Sequence, residues 1–329
     1  MPPGPFPILF FAPPDLEDAI LVTGVFKSLH DEIDNASFTV VTSPAAAALF
    51  RDAPKREATI AEEGRGAGAG LALWSRLRRR KWGLILDAEG RKLSGSLPAK
   101  RKVRAADPES RTGHKVVQAA RLLKLEDDPP APYIFTSDKT RARAEELLGE
   151  GGPLLALAPG APWIGRAWPV ERYVRLAAQL LEAPQLAGGR LLIVGEAEDK
   201  GRAETLRRTV ARDRWIDLTG ERDPLVVHAC LQQARLFVGG ASPFSHLAAA
   251  AGAPTLALYG PDDEALAGPW GRSVRVVRGP RSAQQIRAID AHLDQPVCHM
   301  LDLPVESVLA AAQELLDETA SGVDKRRHG

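Results

Sequence analysis

Short apolar runs alternate with longer amphipathic segments along the first half of the chain. The apolar runs are rich in β-branched and aromatic residues, which is typical of buried strands, and the segments between them have helical periodicity. The predicted strands are Ile8–Phe11, Phe38–Thr42 and Gly83–Asp87, and the predicted helices are about Leu16–His30, Leu71–Arg80 and Gly113–Leu125. This alternation predicts βα units arranged around a parallel sheet.

The second half restarts the same pattern after a break. Its predicted strands are Leu154–Ala158, Leu191–Val194, Trp215–Leu218, Leu236–Val238 and Thr255–Tyr259. Its predicted helices are about Val170–Leu181, Ala203–Arg212, Leu225–Gln233, Ser245–Ala251 and Val305–Leu316. The sequence therefore predicts an α/β protein with two Rossmann-like domains.

The domain boundary is predicted near residue 150. Glu126–Pro132 is turn-forming, and Gly149–Pro153 separates a helix from the first strand of the second half. We expect domains at 1–150 and 151–318, followed by a disordered polar tail at 319–329. Two such domains facing each other would leave a central cleft at the carboxyl ends of both sheets, where open α/β sheets bind ligands.

Composition narrows the class of protein. The formal net charge of +1 over 329 residues argues against a nucleic-acid binder. Cys230 and Cys298 are the two cysteines, so a disulfide framework is excluded and a reducing, cytoplasmic setting is expected. The sequence has no apolar stretch of the roughly 18 residues that a membrane-spanning helix needs. Two basic clusters, Arg76–Lys81 and Lys100–Arg104, could contact anionic lipid, or could simply be solvated cations.

A glycine-rich stretch, Gly64–Gly70, matches a loose dinucleotide-binding pattern. A working fingerprint follows a buried strand directly and opens a helix. The preceding residues, Ile60–Glu63, do not have the pattern of a buried strand, so a flexible loop is expected here.

The segment Gly239–Pro261 predicts a strand, a loop of small residues, a helix and a second strand. Small residues let the backbone approach a ligand, and the free N–H groups of a helix start favour an anion. Ser242 and Ser245 can add hydroxyl donors, and His246 lies in the first helical turn. The alternative is a simple N-cap, because serine before a proline at the first helical position is a common helix start.

A second loop, residues 159–173, follows the predicted strand Leu154–Ala158. It carries Arg166, whose guanidinium is suited to phosphate oxygens, and Trp168-Pro169 then opens a helix. The alternative for Arg166 is a solvated loop arginine. In the first half, Asp15-Leu16-Glu17-Asp18 opens a helix, and a carboxylate at such a helix start could act as a general base. The alternative there is a capping arrangement of Asp15 and Asp18.

Together these segments resemble glycosyltransferase family 9, the heptosyltransferases of lipopolysaccharide core synthesis. Glu17–Gly24 is similar to the family's "G-D-x-I-L-x-T-P", and Gly83–Gly90 is similar to "D-L-V-I-D-L-Q-G". Ala158–Glu171 resembles "P-G-A-S-x-x-x-K-R-W-P-x-E", and Gly239–Pro261 resembles "G-N-D-S-G-x-x-H-L-A-A-A-x-G-x-P-x-x-A-L-F-G-P".

The resemblance implies a GT-B fold, with an acceptor domain first and a nucleotide-sugar domain second. It implies inverting, metal-independent transfer of a heptose or similar sugar, without a cofactor, from an ADP-linked donor to a lipopolysaccharide or other glycan. Asp18 corresponds to the catalytic base. Donor-binding roles follow for five residues: Arg166, Glu198, Ser242, Ser245 and His246. A glycolipid acceptor implies peripheral contact with the inner face of the inner membrane.

Several motif positions depart from the family pattern. The motif's lysine is Arg166, its serine is Pro162, and its aspartate is Ala241. Pro243 replaces a glycine and removes a backbone N–H where a diphosphate would bind. Two alternatives therefore stay open: a catalytically impaired relative that binds a saccharide or a partner, and another GT-B enzyme, such as an epimerase or a transferase that uses a UDP- or GDP-sugar.

Overall fold

The computed structural model describes residues 4–64, 66–107 and 111–323. The chain divides into two compact units, Met1–Ser137 and Asp138–Gly329. Each unit contains a parallel sheet with helices between its strands. The predicted α/β class with two domains is confirmed.

The N-terminal unit contains five strands among its described residues: β1 (Phe6–Phe11), β2 (Ala36–Thr42), β3 (Arg56–Ala61), β4 (Trp82–Asp87) and β5 (Ala99–Arg104). Its helices are α1 (Leu16–Leu21), α2 (Thr23–Glu32), α3 (Pro44–Ala47), α4 (Ala67–Leu77), α5 (Lys92–Gly95) and α6 (Lys115–Ala120). A 3-10 turn, Ala48–Phe50, follows α3.

The strand order is β3-β2-β1-β4-β5, and all four pairings are parallel. In register, Ile8 of β1 lies between Phe38 of β2 and Leu84 of β4. The order reverses between β1 and β4, which makes the space at their carboxyl ends the topological switch point where ligands bind such sheets.

Both faces of β1 are buried, which explains its continuous apolar sequence. On one face Phe10 contacts Phe26 of α2, with ring centroids 5.3 Å apart, and Phe50. On the other face Leu9 and Phe11 belong to a cluster with Leu73 of α4. Helices on both faces therefore fix β1 and the loop that leaves its end.

The C-terminal unit has six strands among its described residues: β6 (Leu154–Ala158), β7 (Arg190–Ile193), β8 (Trp215–Asp217), β9 (Ala234–Gly240), β10 (Thr255–Tyr259) and β11 (Val274–Arg278). Its helices are α7 (Asp138–Leu148), α8 (Val170–Leu180), α9 (Lys200–Arg207), α10 (Pro224–Leu231), α11 (Pro243–Ala250), α12 (Glu264–Ala267), α13 (Ala283–Ile289) and α14 (Val305–Val323). Short 3-10 turns lie at Ile164–Arg166, Pro184–Leu186, Ala197–Asp199 and Arg212–Arg214.

The order in this sheet is β11-β10-β9-β6-β7-β8. Counted from its own first strand, this is the 3-2-1-4-5-6 order of dinucleotide-binding sheets, and its switch point lies between β6 and β9. Leu155 and Leu157 of β6 belong to a core cluster with Leu176 of α8 and Leu316 of α14. The long C-terminal helix is therefore part of this core.

The two units meet between Ser137 and Asp138, rather than near residue 150. Helix α7 packs against α10, and its Ala144 and Leu148 are buried. The sequence signal at Gly149–Pro153 marks the loop between α7 and β6 instead. The tail predicted at 319–329 begins inside α14, which continues to Val323, and residues 324–329 lie outside the described part.

The sequence missed three strands, β3, β5 and β11, and all three are sheet edges. Edge strands carry charges that prevent further pairing, so their sequences lack a continuous apolar run. The expectation for Gly64–Gly70 is corrected as well, because β3 precedes this segment and α4 begins at Ala67. Since β3 is an edge strand, however, this glycine segment lies away from the switch point between β1 and β4.

Candidate functional site

Three loops of the C-terminal unit converge at the carboxyl edge of its sheet. They follow the neighbouring strands β10, β9 and β6, which bring together residues 260–262, 239–242 and 159–166. A Cβ built on Gly239 would lie 2.9 Å from the Cβ of Ala158, and one on Gly240 would lie 3.8 Å from the carbonyl oxygen of Arg166. The small residues therefore allow these loops to pack closely against one another.

The loop after β6 is fixed by the residues that follow it. The Trp168 indole N–H donates to the carbonyl of Leu303 at 3.0 Å, and its ring lies edge-on to Tyr173, with centroids 4.8 Å apart. The backbone N–H of His299 donates to the carbonyl of Gly165 at 3.2 Å. The tryptophan of the motif is thus an anchor, and it holds the turn Ile164–Arg166 in place.

The side chain of Arg166 is one-third exposed at this edge of the sheet. Its Nη2 atom lies 2.5 Å from Oδ1 of Asp262, in the loop after β10. Burial raises the pKa of Asp262, although the Arg166 guanidinium beside it acts in the opposite direction. Sequence reasoning missed Asp262, because its place in the loop after Gly260-Pro261 gives no local signal of a partner in another loop.

Ser242 is the N-cap of α11, and its side-chain hydroxyl makes no capping hydrogen bond. Its Oγ atom is buried and has no hydrogen-bond partner within the described residues. Pro243 occupies the first helical position, as expected. Buried hydroxyls are normally paired, so the Ser242 hydroxyl is an available donor at this helix start.

Ser245 and His246 are both buried inside the C-terminal unit. Ser245 is fully buried, and its hydroxyl donates to the carbonyl of Ser242 at 2.8 Å. The backbone N–H of Ser245 donates to the same carbonyl at 3.1 Å. The imidazole of His246 is packed inside the unit, with 2% of the residue exposed. These contacts give Ser245 a role in shaping the loop.

Glu198 is exposed in the turn Ala197–Asp199 that follows β7. The buried member of this turn is Asp199, which accepts from the backbone N–H of Glu196 and from Arg202, each at 3.0 Å. A Cβ on Gly160 would overlap the Asp199 carboxylate, so this glycine is required by the close approach. Burial, together with Glu198 and Asp199, raises the pKa of Glu196.

In the N-terminal unit, the loop after β1 places two carboxylates at the start of α1. Asp15 is the N-cap and accepts from the backbone N–H groups of Glu17 and Asp18, at 3.0 and 3.2 Å. Asp18 is about one-third exposed and forms an ion pair with Lys115, at the first position of α6. Asp15 therefore satisfies the helix start, and the Asp18 carboxylate is paired with Lys115 instead of capping the helix.

Asp18 and Lys115 line a pocket of about 370 Å³ near the carboxyl ends of β1, β4 and β5. Three more cations line it: Arg104, Arg111 and Arg121. The guanidinium of Arg111 is held by the carbonyls of Ala106 and Glu89, at 2.8 and 2.5 Å. The pocket combines one carboxylate with four cations, which suits an anionic ligand that also carries a hydroxyl.

The two basic clusters of the sequence lie on different elements. Arg80 pairs with Glu57 at 2.7 Å, and Arg78 stacks over the ring of Trp74. Lys100–Arg104 belongs to the edge strand β5, where Lys100, Arg101 and Lys102 are all exposed to solvent. Among the described residues, no helix is both long and apolar enough to cross a membrane.

Nor do the described residues contain a cluster of three or more histidine, cysteine or acidic side chains that could hold a metal ion. Asp87, at the end of β4, is fully buried and satisfied within its own turn. It accepts from the backbone N–H of Gly90 at 2.8 Å and from the hydroxyl of Ser94 at 2.6 Å. This carboxylate shapes the edge of the sheet near the pocket.

Residues 72–294 match the model of glycosyltransferase family 9 (heptosyltransferase). The chain belongs to this family. It is 23% identical to lipopolysaccharide heptosyltransferase 3 of Escherichia coli K12, over 64% of this chain and 60% of that protein. It is 27% identical to lipopolysaccharide heptosyltransferase 1 of Pseudomonas aeruginosa, over 61% of this chain and 64% of that protein. The match thus spans about 60% of the length of these curated relatives.

Solved structures of the family share the fold over nearly the whole chain. The glycosyltransferase family 9 protein of Veillonella parvula has a TM-score of 0.78 at 18% identity, covering 97% of this chain and 99% of that one. The ADP-heptose lipopolysaccharide heptosyltransferase II of E. coli has a TM-score of 0.73 at 19% identity, with 95% and 99% covered. The fold is GT-B, as the sequence resemblance implied.

Proposed function

We propose that this protein is an inverting glycosyltransferase that moves a heptose or similar sugar from an ADP-linked donor to a lipopolysaccharide or related glycan. Membership of glycosyltransferase family 9 supports the reaction class. A solved relative, the E. coli heptosyltransferase WaaC, was determined with ADP, which supports the choice of nucleotide. The observation that carries the proposal is the position of Asp18, in a cationic pocket at the switch point of the N-terminal sheet.

In the proposed reaction, Asp18 accepts the proton of an acceptor hydroxyl while that oxygen attacks the anomeric carbon of the donor sugar. The bond from the anomeric carbon to the diphosphate oxygen breaks, and the configuration inverts. Arg166 and the Ser242 hydroxyl stabilise the charge that develops on the leaving diphosphate. The start of α11 adds the positive end of its dipole, and Glu198 and His246 complete the proposed donor set.

The acceptor is proposed to be an anionic glycolipid or glycan. The pocket beside Asp18 carries Arg104, Arg111, Lys115 and Arg121, which would hold carboxylate or phosphate groups of the acceptor. Charge-assisted hydrogen bonds from these side chains would orient the acceptor hydroxyl toward Asp18. Metal ions and organic cofactors have no role in this mechanism.

The test is turnover of ADP-heptose by an Asp18→Asn variant. We expect turnover to fall by about three orders of magnitude, since asparagine cannot accept the proton and general base catalysis contributes about 10²–10⁴-fold. ADP affinity should stay unchanged. Asp15→Asn is the matched control, because asparagine also caps helices and Asp15 has no part in the chemistry.

Turnover by Asp18→Asn at the rate of the unaltered protein would rule out the assigned base. Absence of turnover in the unaltered protein, with every acceptor and nucleotide sugar offered, would instead favour a saccharide-binding role.

We also propose that the protein works in the cytoplasm, in peripheral contact with the inner face of the inner membrane. The edge strand β5 and the end of α4 carry the basic residues for this contact. We expect the protein to sediment with vesicles that contain anionic lipid, and a Lys100→Gln, Lys102→Gln variant to sediment less. Roughly 1 kcal/mol of binding per cation is typical near such a surface. Equal sedimentation with neutral vesicles would contradict the proposal.

A further inference from the structure

The Arg166 guanidinium already has an anion beside it. Nη2 of Arg166 lies 2.5 Å from Oδ1 of Asp262, which is a direct, charge-assisted contact. The two residues come from different loops, one after β6 and the other after β10. The fold therefore brings the Asp262 carboxylate next to Arg166, at the position where the proposed donor diphosphate has to bind.

Asp262 is held in this position by the backbone around it. Arg278 of β11 donates to the carbonyl of Asp262 at 2.8 Å and to the carbonyl of Gly260 at 2.9 Å. It also forms an ion pair with Glu264. The next residue, Asp263, caps α12 by accepting from the N–H of Ala265 at 3.0 Å. Four contacts thus fix the loop, and the carboxylate of Asp262 is left to face Arg166.

The two oxygens of Asp262 have different surroundings. Oδ1 contacts Arg166, whereas Oδ2 is buried and has no hydrogen-bond partner within the described part of the chain. Leaving part of a carboxylate buried and unpaired costs free energy, which weakens the net stabilisation from the ion pair. Burial raises the pKa of Asp262 even though Arg166, Arg287 and Arg278 all face it. This ion pair is therefore one that a competing anion can break.

We propose that Asp262 is a specificity-determining residue of the donor site, a resident counter-ion that the donor diphosphate must displace from Arg166. The inference rests on the proposed function, since it takes Arg166 as the diphosphate ligand. Asp262 lowers the affinity for every anion at this cation. It selects for ligands that bring two adjacent phosphates, because a single phosphate offers less charge with which to displace the carboxylate.

Displacement has a consequence for protons. A bound diphosphate puts negative charge next to Asp262 and removes the guanidinium from it, and both changes favour the protonated carboxyl. The remaining charged groups around it are Arg278, Arg287, Glu264 and Asp263, and Arg278 is already paired with Glu264. Diphosphate binding should therefore be accompanied by uptake of a proton, and should strengthen as the pH falls.

The experiment is isothermal titration calorimetry of the full chain with ADP and with inorganic pyrophosphate, in buffers of different ionisation enthalpy. The variant is Asp262→Asn, which keeps the shape and removes the charge. Asp263→Asn is the matched control, because it removes the neighbouring charge and keeps a good N-cap.

We expect Asp262→Asn to bind both ligands about tenfold more tightly, which corresponds to about 1.4 kcal/mol, and to lose the proton uptake that the unaltered protein shows. Asp263→Asn should match the unaltered protein in its affinity for both ligands and in its proton uptake. In an Arg166→Ala background, Asp262→Asn should increase the affinity for ADP and pyrophosphate much less, because the ion pair that the diphosphate displaces is absent.

Unchanged or weaker ADP binding by a folded Asp262→Asn protein would overturn the inference, as would proton uptake equal to that of the unaltered protein. Either result is compatible with the proposed donor site, provided that the unaltered protein binds ADP. If neither protein binds ADP or pyrophosphate, both the proposed donor site and the inference about Asp262 are wrong. The ADP titration of the unaltered protein therefore separates the two failures.

Discussion

Arg166 shows how one residue combines a predicted and an unpredicted role. The sequence placed it in a loop at the carboxyl edge of the second sheet, and the structure confirms that position on the turn Ile164–Arg166. The structure adds a partner, Asp262, which comes from a loop more than ninety residues later in the chain. The same planar fork of donors suits a carboxylate or a phosphate, so Asp262 and the proposed diphosphate compete for it.

Replacing Arg166 by alanine should separate phosphate recognition from recognition of the nucleoside. We expect Arg166→Ala to weaken ADP binding by about tenfold, since a charge-assisted contact of about 1.5 kcal/mol is lost, and to leave adenosine binding nearly unchanged. Direct titration with both ligands measures this difference. Equal losses for ADP and adenosine would show that Arg166 does not meet the phosphates.

Two more residues of the candidate site illustrate the limit of reading a sequence locally. Asp18 could be singled out because Glu17–Gly24 resembles the family motif, and it lies in the first turn of α1. Its partner Lys115 begins a helix that lies almost a hundred residues away, and no spacing rule connects them. Residues that meet only through the packing of α1 against α6 are invisible to pattern analysis.

At the scale of elements, helix α10 is buried along its whole length between α7 and α11. His228 lies in this helix with 1% of its surface exposed, and its Nδ1 atom is 3.3 Å from the carbonyl oxygen of Leu247 in α11. Burial lowers the pKa of His228 to about 4, against an ordinary value of 6.5. The packing of α10 on α11, the helix that follows Ser242, therefore depends on a neutral His228 imidazole.

This helix contact predicts a loss of stability in mild acid. The unfolded chain binds more protons than the folded protein between pH 6.5 and about 4, so the free energy of unfolding falls as the pH decreases through this window. From pH 7 to pH 5 the contribution of His228 is about 2 kcal/mol. Urea unfolding of His228→Gln at both pH values should show a smaller loss than the unaltered protein.

The exposed His292 supplies the control for this measurement. His292→Gln should keep the pH dependence of the unaltered protein, because His292 is exposed and lies outside the contact between α10 and α11. If His228→Gln and the unaltered protein lose the same stability between pH 7 and pH 5, other groups control the acid response.

At the scale of the whole molecule, the chain consists of two units that each have a sheet switch point with candidate residues beside it. The proposed donor-binding residues and the proposed base belong to different units, so we expect mutations to affect nucleotide binding and proton transfer separately. This separation makes ligand-induced stabilisation a clean probe of the donor unit alone.

A thermal-shift comparison of ADP, UDP, GDP and CMP should identify the nucleotide. We expect ADP, the proposed donor nucleotide, to bind most tightly and therefore to raise the unfolding midpoint most. A ligand at a hundredfold excess over its Kd stabilises the folded state by about 2.7 kcal/mol. Asp18→Asn should show the same shift as the unaltered protein. A larger shift with UDP or GDP would identify a different donor, as in other GT-B enzymes.

The sequence by itself determined the class of fold, the two domains, the family and every inner strand of both sheets. The reason is that inner strands of a parallel sheet are buried on both faces and must be apolar. It also located Arg166 and Ser242, because turns at the carboxyl ends of strands have local signatures, and the family resemblance added Asp18. Each of these features can be predicted from a short segment of the sequence.

The tertiary structure decided the rest. It shows the edge strands β3, β5 and β11, whose charged sequences lack the apolar pattern of the inner strands. It also places the unit boundary at Ser137, because α7 packs against α10. It also paired Arg166 with Asp262 and Asp18 with Lys115. Contacts between distant loops depend on strand order and packing, and these are fixed only when the whole unit folds.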